Sequence, residues 1–322
     1  MMQMLDSLVG NLMVPTILFF VLGLIAAFVR SDLSIPEGAA KFMSLYLLLA
    51  IGFKGGHSLA EGGLSFEVFL ALAAGLLLSF LLPFIAYVLL RSMTRLDATT
   101  AAAVAGHYGS ISIVTFVAAS SLLELTGLAA DGYMVAVAAV MEVPAILSAL
   151  WIANRFGRDG QEASVPMREL FANGSIVLLS GAFLIGALTQ DKGMEMIAPF
   201  VVTPFVGILC LFLLDMGLSA GRSLITNRHL LSAGLFVFGM MMPLIGAILA
   251  LGLGSVIGLQ TGSQFLLMVL AASASYIAVP AAMKIALPKA ETGIYLTLSL
   301  GVTFPFNITV GLPLYLWLAG LL

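Results

Sequence analysis

Apolar residues in this chain run in long unbroken blocks, and polar residues gather between them. A helix that crosses a bilayer needs about 20 consecutive apolar residues. Windows of that kind predict ten spans, at 10–29, 40–58, 66–90, 98–123, 131–153, 171–189, 195–219, 230–251, 263–287 and 291–318. The longest polar connection, Asn154 to Arg168, falls at the middle of the chain. The expected fold class is an all-α membrane protein of ten transmembrane helices. Its first five helices (1–153) and last five (171–322) are joined by a linker at 154–170.

Two blocks are interrupted from within. Gly106-His107-Tyr108-Gly109-Ser110-Ile111-Ser112 lies inside the fourth span, and Ser273-Ala274-Ser275-Tyr276-Ile277-Ala278-Val279-Pro280 inside the ninth. Gly loosens the backbone, Ser competes for the backbone's hydrogen bonds, and Pro cannot donate to the helix ladder. Freed backbone groups are tolerated at membrane depth only where protein buries them or a cavity receives them. Both stretches therefore predict broken membrane helices, of the kind that mark transport sites. A small-residue packing face is the plainer alternative. Ser110 and Ser273 are 163 positions apart, as are Ser112 and Ser275.

Other matches fall near the same offset. Gly52-Phe53-Lys54-Gly55-Gly56-His57-Ser58-Leu59 aligns with Gly217-Leu218-Ser219-Ala220-Gly221-Arg222-Ser223-Leu224, and Phe20-Val21-Leu22-Gly23 with Phe183-Leu184-Ile185-Gly186. With the N-terminus outside, 11 of the 13 Lys and Arg residues fall on cytoplasmic connections, as the positive-inside rule requires. Five spans is an odd number, so the two five-helix repeats are expected to be inverted, with both termini outside. The first residues, Met1-Met2-Gln3-Met4-Leu5-Asp6, lack the basic start of a signal peptide, so the first helix is expected to be retained.

Composition settles the class. Hydrophobic residues make up 61% and charged residues 9%, where soluble domains carry about 25% charged. The mean hydropathy is +1.15. The single cysteine, Cys210, lies in an apolar run and reads as a buried hydrophobe. The chain lacks a phosphate-binding glycine loop, so ATP use is not indicated, and nothing suggests nucleic-acid binding. His and Cys do not fall at transition-metal spacings, and no nucleophile elbow is present. The expectation is a non-enzyme without cofactor, beyond a coupling ion.

The chemistry of the breaks suits a small anion. The second half of each broken helix begins with free backbone N–H groups carrying roughly half a positive charge. Serine hydroxyls add donors. The candidate substrate site is Gly109, Ser110, Ser112, Ser273, Ala274, Ser275 and Tyr276. Free carbonyls at the opposite half-helix ends suit sodium. Glu142, deep in the fifth span, is an intramembrane carboxylate and so a cation or proton candidate; a hydrogen-bonded structural role is the alternative. Thr303 and Asn307 occupy the matching part of the second half. The candidate sodium ligands are thus Ser110, Glu142, Thr303 and Asn307. His107, beside the first break, reads either as a pH-sensitive group or as hydrogen-bonded structure.

The stretch 106–112, followed by Val114-Thr115-Phe116, closely resembles the sodium-dependent bicarbonate transporters first known from cyanobacteria, the SbtA type. Residues 273–282 resemble the second signature of that family, and Gly52-Phe53-Lys54-Gly55-Gly56 fits as well. The likeness runs over essentially the whole chain. It implies a core and a gate domain, a homotrimer in the plasma membrane, and sodium–bicarbonate symport by an elevator-like movement. The alternatives in chemistry are a sodium/proton exchanger, motivated by Glu142, and a carrier of another small anion. Cyanobacterial members have a longer central connection and are inhibited by a PII-like trimeric regulator. The short connection here departs from that pattern, which leaves such a regulator a partner only if so brief a segment can receive it.

Overall fold

A computed structural model describes residues 14–63, 65–157, 168 and 174–321. The expected start of the first span at 10–13 and most of the linker at 154–170 lie outside the described residues. Those described form helices and turns, without strands. The helices are α1 (Pro15–Phe28), α2 (Glu37–Gly62), α3 (Phe66–Met93), α4 (Ala98–Gly109), α5 (Ile113–Thr126), α6 (Met134–Val140), α7 (Glu142–Phe156), α8 (Gly174–Val201), α9 (Phe205–Asn227), α10 (Ala233–Ile257), α11 (Thr261–Ala272), α12 (Ala278–Ala286) and α13 (Thr292–Ala319). With α4–α5 and α6–α7 each counted as one span, 8 segments are long and apolar enough to cross a membrane. The chain is a multi-pass membrane protein. The other two predicted spans correspond to α1, 14 residues long, and to the broken pair α11–α12, whose members have 12 and 9 residues.

Local chemistry sets the helix ends. Ser65, Asp97, Ser112 and Ser232 each accept a hydrogen bond from the backbone N–H three residues on, capping α3, α4, α5 and α10. Gly127, at φ 69°, closes α5 in the left-handed conformation that suits glycine. Two features escape an apolar-window reading. The predicted span at 195–219 begins instead at Phe205, because α8 runs on to Val201 across one non-helical residue, Gln190 (φ 49°, ψ −142°). A conformation of that kind in a non-glycine residue costs about 1–3 kcal/mol. The next residue, Asp191, pairs with His57 at 2.9 Å. In α13, residues Thr297–Thr303 and Asn307–Gly311 wind as π-helix.

Packing divides the helices into two groups. The most extensive contacts are α2 with α8 and α1 with α9. Both are glycine contacts. A Cβ at Gly56 would overlap the Phe183 carbonyl, and one at Gly186 the Phe53 carbonyl. A Cβ at Gly23 would meet the Leu214 carbonyl, and one at Gly217 that of Phe20. Without side chains at these points the backbones approach closely, which is how membrane helices associate when no hydrophobic effect drives them. The second group packs α3 on α4, α7 and α10, and α10 on α11. Tyr133, just before α6, donates to Glu67 at 2.8 Å and ties α6 to α3. Burial first, and that carboxylate second, push its phenol above the usual tyrosine range. The first halves of the broken helices are enclosed all round: α4 from Thr99 to Gly109 and α11 from Gly262 to Ala272 are buried at every residue. A helix apolar on every face belongs in such a place.

Candidate functional site

The two interruptions meet. After Gly109 the backbone turns extended at Ser110 (ψ 158°) and stays so through Ser112 (ψ 106°). After Ala272 it does the same at Ser273 (ψ 164°). The Ser112 N–H donates to Ser273 Oγ at 2.9 Å, and the Ser275 N–H to the His107 carbonyl at 2.8 Å. Each break thereby satisfies a backbone group freed by the other, which answers how irregular chain persists at membrane depth.

The serines divide by task. Ser273 Oγ accepts from Ser112 and donates to the Leu270 carbonyl at 2.9 Å, so its hydrogen is committed. Ser112 Oγ accepts from the Thr115 N–H (3.3 Å) and hydroxyl (2.9 Å), leaving its own proton to give. Ser275 Oγ accepts from the Val279 N–H at 3.5 Å and likewise keeps its proton. The Ser110 hydroxyl is buried without a partner among the described residues, and the buried Tyr276 hydroxyl faces Ser112. Gly109 packs against the Pro83 ring, and Ala274 is buried; neither is on the wall of the cavity at the crossing.

Ser112, Ser275, Tyr276 and Glu142 line one cavity, with Leu48, Leu179 and Ser175 on its far wall. Its volume, measured as space open to the centre of a water molecule, is about 20 Å³. That holds about one water-sized guest, since a single water needs roughly 10–15 Å³ on this measure. The start of α5 (Ile113) and the residue before α12 (Ile277) border it as well. The cavity is therefore faced by two helix N-termini, which favour negative charge, and by one carboxylate. Glu142 is buried, and its carboxyl has no hydrogen-bond partner among the described residues. It opens α7 after a turn at Met141, whose carbonyl is held by the Ser79 hydroxyl.

The other expected sodium ligands, Ser110, Thr303 and Asn307, are not on the wall of this cavity. Thr303 Oγ1 donates to the Gly239 carbonyl at 2.7 Å and pairs with the Tyr108 hydroxyl at 2.6 Å. Asn307 donates to the Ala272 carbonyl at 2.8 Å and accepts from the Tyr315 hydroxyl at 2.9 Å. Asn307 thus pins the last turn of α11 beside the second break. Asn307→Ala is expected to lower stability by about 2 kcal/mol, since two buried groups lose their partner. Thermal unfolding of the detergent-solubilised protein checks this; an unchanged midpoint would contradict it. His107 Nδ1 sits 2.7 Å from the Ala103 carbonyl and its ring stacks on Tyr295, with centroids 4.5 Å apart. Its Nε2 is buried and unpartnered among the described residues. Sequence reasoning missed Leu48, Ser175 and Leu179, which carry no signal beyond their place on α2 and α8.

A family model described as the Na+-dependent bicarbonate transporter superfamily matches residues 15–320. Among curated proteins, none matches the chain.

Proposed function

This chain belongs to the Na+-dependent bicarbonate transporter superfamily, and from that premise we propose that it is a sodium–bicarbonate symporter working by alternating access in the plasma membrane. The observation that carries the reading is the cavity where Glu142 faces two helix N-termini across Ser112 and Ser275. An ionised Glu142 and a bicarbonate in one such space repel each other. At 4–5 Å and an effective dielectric constant of 20 that repulsion is about 3–4 kcal/mol. A sodium ion beside Glu142 cancels it and leaves the helix ends and serine protons to the anion. Sodium dependence then follows from charge balance. A cavity for one water-sized guest admits sodium but has to widen for bicarbonate, so binding and wall movement are one event.

The architecture of the reading is ten spans in two inverted repeats, 1–153 and 171–322, joined at 154–170. It draws support from the glycine contacts. Gly23 and Gly186 fall in one pair of matched motifs, Gly56 and Gly217 in the other, and each motif of one pair packs against a motif of the other. Helices α1, α2, α8 and α9 act as the gate and the remainder as a core that moves against it, in a homotrimer with both termini outside. Anion binding uses Ser112, Ser275 and Tyr276 on the cavity wall, with Gly109, Ser110, Ser273 and Ala274 joining when the core rearranges; sodium is held at Glu142, with Ser110, Thr303 and Asn307 joining in the same movement. A PII-like regulator has little linker to hold. The chain carries ions rather than catalysing a reaction, and sodium is its only cofactor. The unpartnered carboxyl of Glu142 also favours a second reading, sodium/proton exchange, which predicts sodium flux driven by a pH gradient without bicarbonate.

The test is uptake of labelled bicarbonate into proteoliposomes, with and without an inward sodium gradient, for the wild type and Ser275→Ala, which removes a free hydroxyl proton from the cavity wall. Sodium-driven uptake is expected in the wild type. The variant loses a hydrogen bond to a charged ligand, about 1.5–3 kcal/mol, so its uptake at low bicarbonate falls tenfold or more. A folded wild type that takes up no bicarbonate under a sodium gradient would overturn the reading.

A further inference from the structure

A second cavity, of about 270 Å³, opens at one end of the molecule between α2, α5 and the connection that follows α5. The faces that line it continue those at the crossing. On α2, Leu48 lines the small cavity, and Ile51 and Lys54 line the large one at successive turns. On α5 and its cap, Ser112 borders the small cavity, and Phe116, Ser120 and Glu124 follow at intervals of four. Residues four apart share one helix face. Twelve residues of helix cover about 18 Å. The two faces therefore outline a route from the surface to the crossing, and Lys54 and Glu124 stand at its outer part as an ion pair.

Charge and chemistry give that pair a meaning. The cavity has three charged residues on its wall, Lys54, Glu124 and Asp131. Asp131 is committed to Ser263, whose hydroxyl donates to Oδ2 at 2.6 Å. Glu124 is thus the partner of the Lys54 ammonium, which also lies 4.9 Å above the Phe205 ring. The ring keeps a cation–π contact with the ammonium whether or not the carboxylate stays. Bicarbonate offers what a carboxylate offers: one negative charge shared by two oxygens on a planar carbon. It fits the place that Glu124 fills.

We propose that Lys54 is the arrival site for the oxyanion substrate, with Glu124 as its built-in competitor. An incoming anion displaces the Glu124 carboxylate from the ammonium, is held over the Phe205 ring, and passes inward between α2 and α5. This rests on the reading of bicarbonate as substrate.

The test is the concentration dependence of labelled bicarbonate uptake by the full chain in proteoliposomes at saturating sodium. Lys54→Gln removes the receptor, and its KM is expected to rise about tenfold, the strength of one partly solvated charge contact. Glu124→Gln removes the competitor, and its KM is expected to fall severalfold. Lys54→Arg keeps the cation and should restore a KM near that of the wild type. The double variant should follow Lys54→Gln, because a competitor has no effect without its receptor. A pair that merely ties α2 to α5 behaves otherwise: either single variant breaks it, so both shift the same way. Shifts of one sign, or no shift in either variant, would overturn the proposal. A wild type inert towards bicarbonate strikes the substrate reading itself; a transporting wild type whose variants shift together strikes only the arrival site.

Discussion

Glu142→Gln is expected to abolish the sodium dependence of anion binding rather than anion binding itself. In the wild type the Glu142 carboxyl shares a cavity with two helix N-termini and the serine protons of Ser112 and Ser275, and in its ionised form it repels the anion. Relief of the roughly 3 kcal/mol repulsion by sodium should raise bicarbonate affinity on the order of a hundredfold. Glutamine fills nearly the same volume without the charge, so nothing remains for sodium to relieve. The variant should bind bicarbonate about as well without sodium as with it, and a sodium gradient should no longer drive accumulation. Binding titrations across sodium concentrations, with counterflow of labelled bicarbonate, measure both. Sodium-stimulated accumulation that survives in the variant would remove Glu142 from the coupling scheme. Loss of all binding would point instead to a direct contact between the carboxyl group and the anion.

The second large effect concerns stability. Gly56→Leu should prevent assembly of α2 on α8, because the Phe183 carbonyl occupies the position a Cβ would need. Overpacking of this kind costs about 1–3 kcal/mol for small additions and more for a whole side chain against backbone. Gly181 on α8 supplies the comparison, since a Cβ there meets nothing within 4 Å. Gly181→Ala should stabilise by about 0.5–1 kcal/mol through helix propensity, whereas Gly56→Ala should destabilise. Melting of the two alanine variants in detergent gives the signs; equal midpoints would mean that α2 and α8 are not in close backbone contact.

The class and the eight long apolar helices are legible in the sequence because membrane depth forces apolar runs of fixed length. The breaks are legible for the converse reason. Ser110, Ser112, Ser273, Ser275 and Pro280 are costly in such runs unless something uses them. What the breaks do to each other is not legible. That Ser273 is engaged by the Ser112 amide while Ser275 faces the cavity depends on a crossing of two segments that no local pattern encodes. Thr303 and Asn307 show the same limit. A polar residue in a span announces a partner, but whether that partner is an ion or the Tyr108 and Tyr315 hydroxyls is decided by other helices. The π-helical winding of α13 and the turn at Gln190 leave no mark on an apolar window either.

The stitch between the breaks also bears on how the chain is made. Ser112 and Ser273 are 161 residues apart. At ribosomal speeds of about 5–20 residues per second, roughly ten to thirty seconds separate synthesis of the first break from synthesis of its mate. Throughout that interval the Ser112 amide and the His107 carbonyl lack the groups that will satisfy them. Half-made, the chain carries an unfinished polar gap at membrane depth. Integration of the fourth span into lipid therefore has to wait, in a hydrated or chaperoned place, for the far half of the polypeptide to arrive.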